Sequence, residues 1–148
     1  VMSLCVFSQM LDSLRHVVDE SSPAFANAIR SLRIGHLRRM MSMLRPGGVA
    51  VFVTDVVSSD TAQELSSATD ETIGPMVKKL VNERNFFSGT NPALLLEDLN
   101  MLSRLPNGPD TVHTIDPWLW HMADRTFAVY GLRIQKKLPI EEVEETES

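Results

Sequence analysis

A helical pattern that stops at Arg45-Pro46-Gly47-Gly48 and gives way at once to the apolar run Val49-Ala50-Val51-Phe52-Val53 constrains this chain more than any other feature. Pro46 has no amide with which to continue a helix, and glycine supplies the positive φ that a helix end needs. The run that follows has no polar alternation. It therefore reads as the central strand of a parallel sheet with helices over both faces. The helix feeding it opens at Ser22-Pro23, a capping hydroxyl followed by proline in the first turn. Phe25, Ala28, Ile29, Leu32, Leu37, Met40, Met41 and Leu44 then recur at helical spacing. Gly35 weakens the middle of that helix by up to about 1 kcal/mol relative to alanine. Upstream, Val1 to Phe7 is apolar apart from Ser3 and suits the last part of a buried strand and a turn. Ser8 then caps a short helix with Leu11, Leu14 and Val18 on one face. Strand, helix, tight turn and strand make a βαβ unit. Because the first residues already read as a buried element, the chain is expected to begin in mid-fold.

Downstream of Asp55, "VVSSDTAQELSSATDET" reads as a loop with one weak helical turn, and Ile73 to Arg84 as a helix. "NFFSGTNP" is a loop, and Asn91-Pro92 repeats the cap-plus-proline signal ahead of Leu95, Leu96, Leu99 and Leu102. Val112 to Ile115 is a candidate strand, "PWLWHMADR" interrupts, and Thr126 to Lys136 is the last strand. There Tyr130, Leu132 and Ile134 alternate with Gly131, Arg133 and Gln135, as in an antiparallel strand near an edge. Residues 1–137 form one α/β domain on this reading, and 138–148 an acidic, disordered tail.

Glu141, Glu142, Glu144, Glu145 and Glu147 in the tail account for the whole formal net charge of −5, so the body is neutral. A neutral body argues against nucleic acid as a partner. No apolar run is long enough to span a membrane. Cys5 is the single cysteine, which excludes an internal disulfide and fits a cytoplasmic setting. Four scattered histidines and one cysteine offer no metal-ligand spacing.

In open α/β sheets, ligands sit beyond the carboxyl ends of the parallel strands. The two ends visible here are Ser3 to Gln9 and Thr54 to Ser59. Asp55 would stand at the rim of a cleft between them, holding a ligand's hydroxyl or amine; alternatively it caps its own loop. His121 and His113 are the further acid–base candidates. Phe86, Phe87, Trp118 and Trp120 either line an acceptor pocket or pack helices onto the sheet.

"VMSLCVFSQMLDSL" followed by "HLRRMMSMLRPGGVAVFVTD" resembles the second half of a class I S-adenosylmethionine-dependent methyltransferase. In that family a strand of the type "VVSSxVLHHL" precedes a helix ending in "LKPGG" or "LRPGG", which opens into the next central strand. Leu44 to Gly48 match that turn, and Met2-Ser3 loosely match the preceding strand end. The late order of strand, interruption and strand is similar to the family's closing antiparallel hairpin. The resemblance spans residues 1–137. It implies a partial Rossmann-like, doubly wound sheet of parallel strands with a C-terminal antiparallel hairpin and helices on both faces.

The resemblance also implies S-adenosylmethionine as cofactor and a small-molecule methyl acceptor. Ser3, Leu4 and Cys5 would lie on the cofactor side. Ser8 and Gln9 would sit near the substrate, where they differ from the family's frequent His-His pair. Asp55 or His121 would take a proton if the acceptor has one to lose. Trp118 and Trp120 would border the acceptor. The seven glycines form no G-x-G-x-x-G, so the cofactor loop is expected to belong to an N-terminal half outside this chain. That half, or a second copy, is then the expected partner. The alternative is a non-catalytic α/β half-domain acting as an interaction or dimerisation module; another doubly wound enzyme is a third reading.

Overall fold

Strand β2 (Val49–Ser58) occupies the interior of the sheet, and the reasons begin with the helix before it. Helix α2 (Pro23–Ser42) starts where the cap signal predicts: Ser22 Oγ accepts from the Ala24 amide at 3.2 Å. Its end is fixed by Gly47 at φ 70° and by a tight turn in which the Gly48 amide donates to Arg45 O at 2.9 Å. Buried Lys136 locks the same place, its Nζ donating to Met41 O at 3.1 Å and Leu44 O at 2.8 Å. A cation at a helix C-terminus satisfies carbonyls that have no intrahelical partner.

The computed structural model describes residues 1–139, so the disordered tail assigned to 138–148 falls almost entirely outside them. Strand β1 (Met2–Leu4) pairs with β2 in parallel, Ser3 opposite Phe52. Helix α1 (Val6–Arg15) and α2 connect the two, which completes the βαβ unit. After β2 come a short 3-10 turn (Gln63–Ser67), α3 (Ile73–Asn82) and α4 (Pro92–Ser103). Asn91 caps α4, accepting from the Ala93 amide at 2.9 Å. Strands β3 (Pro109–Met122) and β4 (Arg125–Lys136) close the sheet in the order β1-β2-β4-β3, with β4 antiparallel to both its neighbours. The fold is α/β with a mixed four-stranded sheet.

Several boundaries differ from the sequence reading. Helix α1 starts at Val6, and Cys5 is its N-cap with φ 53°. Ser8 lies in the first turn and donates to Cys5 O at 2.9 Å, so it is not the cap. Strand β2 continues through Asp55 to Ser58, with a bulge at Val56, so Asp55 is held by the strand and not by a loop. "PWLWHM" belongs to β3; the interruption shrinks to a turn at Ala123-Asp124. Pro117 is tolerated because β3 is an edge strand and its register slips between Ile115 and Trp118. Strand β4, read as near an edge, is interior.

The helices gather on one face of the sheet among the described residues, not on both. Ala50, Phe52 and Val57 of β2 and Ala128, Tyr130, Leu132 and Ile134 of β4 share that face. They merge with Phe7, Leu11, Ile29, Leu37, Leu80, Leu95 and Leu99 of the helices into one core. The other face of β4 offers Val129, buried beside Trp118, and then Gly131, Arg133 and Gln135, which give a second helical layer little to bury against. On that open face Met2, Leu4, Ile115 and Trp120 keep 67%, 45%, 39% and 37% of their surface exposed. Trp118 and Ile115 lie over Gly131, where a Cβ would meet Trp118 Cζ3 at 3.3 Å. A buried ion pair, Arg33 with Asp98, ties α2 to α4 within the helical layer. Among the described residues, no helix is long and apolar enough to cross a membrane.

Candidate functional site

The carboxyl ends of the two parallel strands meet at Cys5 and Asp55. The Cys5 amide donates to Val53 O at 2.9 Å, the last bond of the parallel ladder, and the chain then turns sharply into α1. This puts the half-buried thiol beside the Asp55 carboxylate. Burial, the hydrogen bond to Asp55 and the carboxylate's negative charge together push the thiol up to about 12. Cys5 is therefore a neutral thiol at physiological pH and a poor nucleophile.

Where β1 stops, the loop after α3 takes over its edge of β2. The Phe87 amide donates to Val56 O at 2.8 Å, and Thr90 Oγ1 donates to Phe87 O at 2.8 Å. Gly89 makes this path available: its φ is 91°, and a Cβ there would stand 2.7 Å from Ile29 Cγ2. Between this loop, the start of α1 and the end of β2 lies a cleft of about 370 Å³. Ser8, Gln9 and Asp12 line it from α1, Asp55 from β2, Phe87 from the loop and Phe127 from β4. The volume falls within the range of small-molecule sites.

Of the residues singled out from sequence, Asp55, Ser8 and Gln9 come together in this cleft; Cys5 lies beside Asp55 but does not line the cleft. Ser3 points elsewhere. It is buried on the helical face, its Oγ 2.8 Å from His36 Nε2. Leu4 lies on the open face of β1. Trp118, Trp120 and His121 are strand residues of β3, two strands away from β2, and do not line the cleft. His121 Nδ1 is 3.1 Å from Thr126 Oγ1 at the hairpin end. His113 is an exposed β3 residue opposite Arg133. Phe87 lines the cleft, whereas its neighbour Phe86 packs against the core.

Phe127 and Asp12 are cleft residues that sequence reasoning missed. Asp12 carries a legible signal, since it sits one helical turn after Ser8 and Gln9. Phe127 carries none, because it reaches the site only through the pairing of β4 with β2, Ser58 opposite Phe127. Chemically the cleft offers two carboxylates, a guanidinium, hydroxyls and a carboxamide beside the rings of Phe87 and Phe127. It can orient a hydroxyl- or amine-bearing molecule. No histidine lines it. Scans against protein-family models, curated proteins and solved structures find no match to this chain.

Proposed function

We propose that this chain is the C-terminal part of a class I S-adenosylmethionine-dependent methyltransferase of Rossmann-like type, acting on a small-molecule acceptor held in the Asp55 cleft. The observation that carries the reading is the convergence of Cys5, Ser8, Gln9 and Asp55 where parallel β1 and β2 end. That is the crevice in which open α/β sheets place their ligands. The turn at Leu44 to Gly48 and the closing hairpin of β3 and β4 accord with the resemblance.

Asp12 and Asp55 line the cleft together with Arg15, which leaves it a net negative lining suited to a cationic group. This fits the methionine end of the cofactor, which when bound supplies an electrophilic methyl group on a cationic sulfur. No glycine-rich loop occurs in the sequence, so the reading assigns the nucleoside end to residues outside these 148. Methyl transfer is an in-line displacement that needs alignment and exclusion of water more than acid–base groups. Phe87 and Phe127 give the acceptor apolar surface to pack on, while Ser8 and Gln9 position it by hydrogen bonds. Asp55 holds the acceptor's hydroxyl or amine and takes its proton if one is lost. His121, at the far hairpin, has no part in this scheme.

Calorimetric titration of the longest encoded form of the protein with S-adenosylhomocysteine tests the proposal. Saturable heat supports it, and the absence of heat at millimolar ligand overturns it. The open sheet face, with Met2, Leu4 and Trp120 exposed, favours a second reading as an α/β module that associates through that face. Self-association without any cofactor heat would select it.

A further inference from the structure

Arg33 on α2 and Asp98 on α4 form a buried ion pair whose hydrogen bonding is incomplete. Each side chain keeps only 5% of its surface exposed. Arg33 Nε donates to Asp98 Oδ2, and Arg33 Nη1 reaches Gly89 O at a long 3.4 Å. A guanidinium carries five N–H donors, and an ionised carboxylate about four acceptor directions. Among the described residues, Nη2 of Arg33 finds no acceptor and Oδ1 of Asp98 no donor. Neither atom is sealed in, because the one enclosed side-chain polar atom without a partner among the described residues is Tyr130 Oη. The small exposed part of each side chain therefore includes its free polar atom.

Both residues line a cavity of about 410 Å³ between α2, α4 and Gly89. Its apolar wall is made by Ala26, Ile29 and Leu94. Arg30 and Glu97, both exposed, also line it and add one charge of each sign. Two arginines and two carboxylates leave the lining with no net charge. A cation that pairs with Asp98 lies against Arg33, and an anion that pairs with Arg33 lies against Asp98. A charged ligand thus gains from one group and is repelled by the other. Water can serve the two free atoms, and a ligand group that displaces it has to offer an acceptor and a donor side by side.

We propose that this cavity binds an uncharged small molecule through a carboxamide group. The carbonyl oxygen accepts from Arg33 Nη2, the N–H donates to Asp98 Oδ1, and the apolar body of the molecule packs on Ile29 and Leu94. Both bonds involve an ionised protein group, which makes them stronger than neutral ones. None of the residues lining the Asp55 cleft lines this cavity, so the inference stands apart from the methyl-transfer reading.

Titration of the 148-residue protein with benzamide, followed by backbone amide chemical shifts, tests this against two near-isosteres of opposite charge, benzoate and benzamidinium. Benzamide is expected to move the amides of Ile29, Gly89 and Asp98 and to bind about tenfold more tightly than either, the scale of one hydrogen bond to a charged group. Arg33→Met/Asp98→Leu removes both buried charges at similar volume, and in that variant the preference disappears. Arg30→Gln/Glu97→Gln neutralises the exposed pair alone and keeps it. The three probes on the unaltered protein decide the matter whether or not the buried double variant folds. Tighter binding of benzoate or benzamidinium, unmoved amides around the cavity, a preference that survives without Arg33 and Asp98, or one lost with Arg30 and Glu97 would each overturn the assignment.

Discussion

Ser3 Oγ on β1 lies 2.8 Å from Nε2 of His36 on α2, and this contact fastens the sheet's free edge to the helix layer. The His36 ring stacks on Phe7 at a centroid distance of 6.1 Å and tilts against Phe52 at 5.9 Å. Burial holds its pKa below the ordinary value of 6.5. The unfolded chain therefore takes up the proton at a higher pH than the folded one. Stability from this group is complete above about 6.5 and is lost progressively as the pH falls below it. The urea midpoint should drop between about pH 7.5 and 5.5. In His36→Gln the part of that drop due to the imidazole should vanish; an unchanged pH profile would count against the assignment.

Arg33 and Asp98 are both about nineteen-twentieths buried, with side chains 5% exposed, and Arg33 also reaches Gly89 O at 3.4 Å. Removing one partner strands a charge in the core. Asp98→Ala should cost about 3–5 kcal/mol in urea unfolding. The double variant Arg33→Met/Asp98→Leu removes both charges while keeping volume, and should recover most of the loss. If the double variant is no better than Asp98→Ala, the ion pair is not the origin of the effect.

The Cys5 thiol titrates near 12, against an ordinary value of 9.0. Its thiolate fraction at neutral pH is then roughly a thousandfold below that of an exposed cysteine, and alkylation by iodoacetamide should slow in proportion. Since this is the chain's one cysteine, the rate reads Cys5 alone. Asp55→Asn removes the carboxylate's charge but not the burial, which is the larger cause. Alkylation should therefore speed up severalfold and still remain slower than that of a free thiol. No acceleration would mean that the carboxylate does not act on the thiol.

The parts of this fold that were legible in sequence are those decided locally. Ser22-Pro23 and Asn91-Pro92 specify their helix starts because a capping oxygen and a fixed φ act within three residues. Pro46-Gly47-Gly48 specifies the end of the α2 segment and the entry to β2 for the same reason. The parallel pairing of β1 with β2 followed from the βαβ pattern, and the strand-end rule then brought Asp55, Ser8 and Gln9 to one cleft. What was not legible depends on distant pairing. Phe52 lies opposite Leu132 because β4 inserts between β2 and β3, and no local signal specifies that insertion. Pro117 read as a breaker, yet an edge strand has no ladder bond there for proline to remove. Trp118, Trp120 and His121 were advanced on residue type alone, and residue type does not fix location.

Two glycines test the backbone argument in opposite directions. Gly35 lies within α2, and a Cβ there would meet nothing within 4 Å. Gly35→Ala should raise stability by roughly 0.5–1 kcal/mol through helix propensity. Gly47 has φ 70°, and its Cβ would come within 3.0 Å of Leu138 Cδ2. Gly47→Ala should lower stability by about 1 kcal/mol, since an L side chain is strained in the left-handed region. Thermal unfolding of the two variants checks both signs, and a shift of the same sign in both would refute the argument.

Strand β1 pairs with β2 on one edge only, and its open face presents Met2 and Leu4, while Trp120 and Ile115 are exposed on β3 at the sheet's opposite edge. An unpaired edge next to an uncovered apolar face is a template for another chain. The 148-residue chain should therefore self-associate as its concentration rises, seen as a growing weight-average mass in sedimentation equilibrium. Leu4→Lys puts a charge on that face at the edge strand, 45% exposed in the single chain, so it need not disturb the core. It should return the mass toward that of the 16.5 kDa monomer while leaving the urea midpoint measured at low concentration nearly unchanged. Glu64→Lys, in the 3-10 turn on the helical side, serves as a charge control and should leave association intact. Association that survives Leu4→Lys would place the contact elsewhere on the molecule, and a monomer at every concentration would show that the exposed face needs no cover.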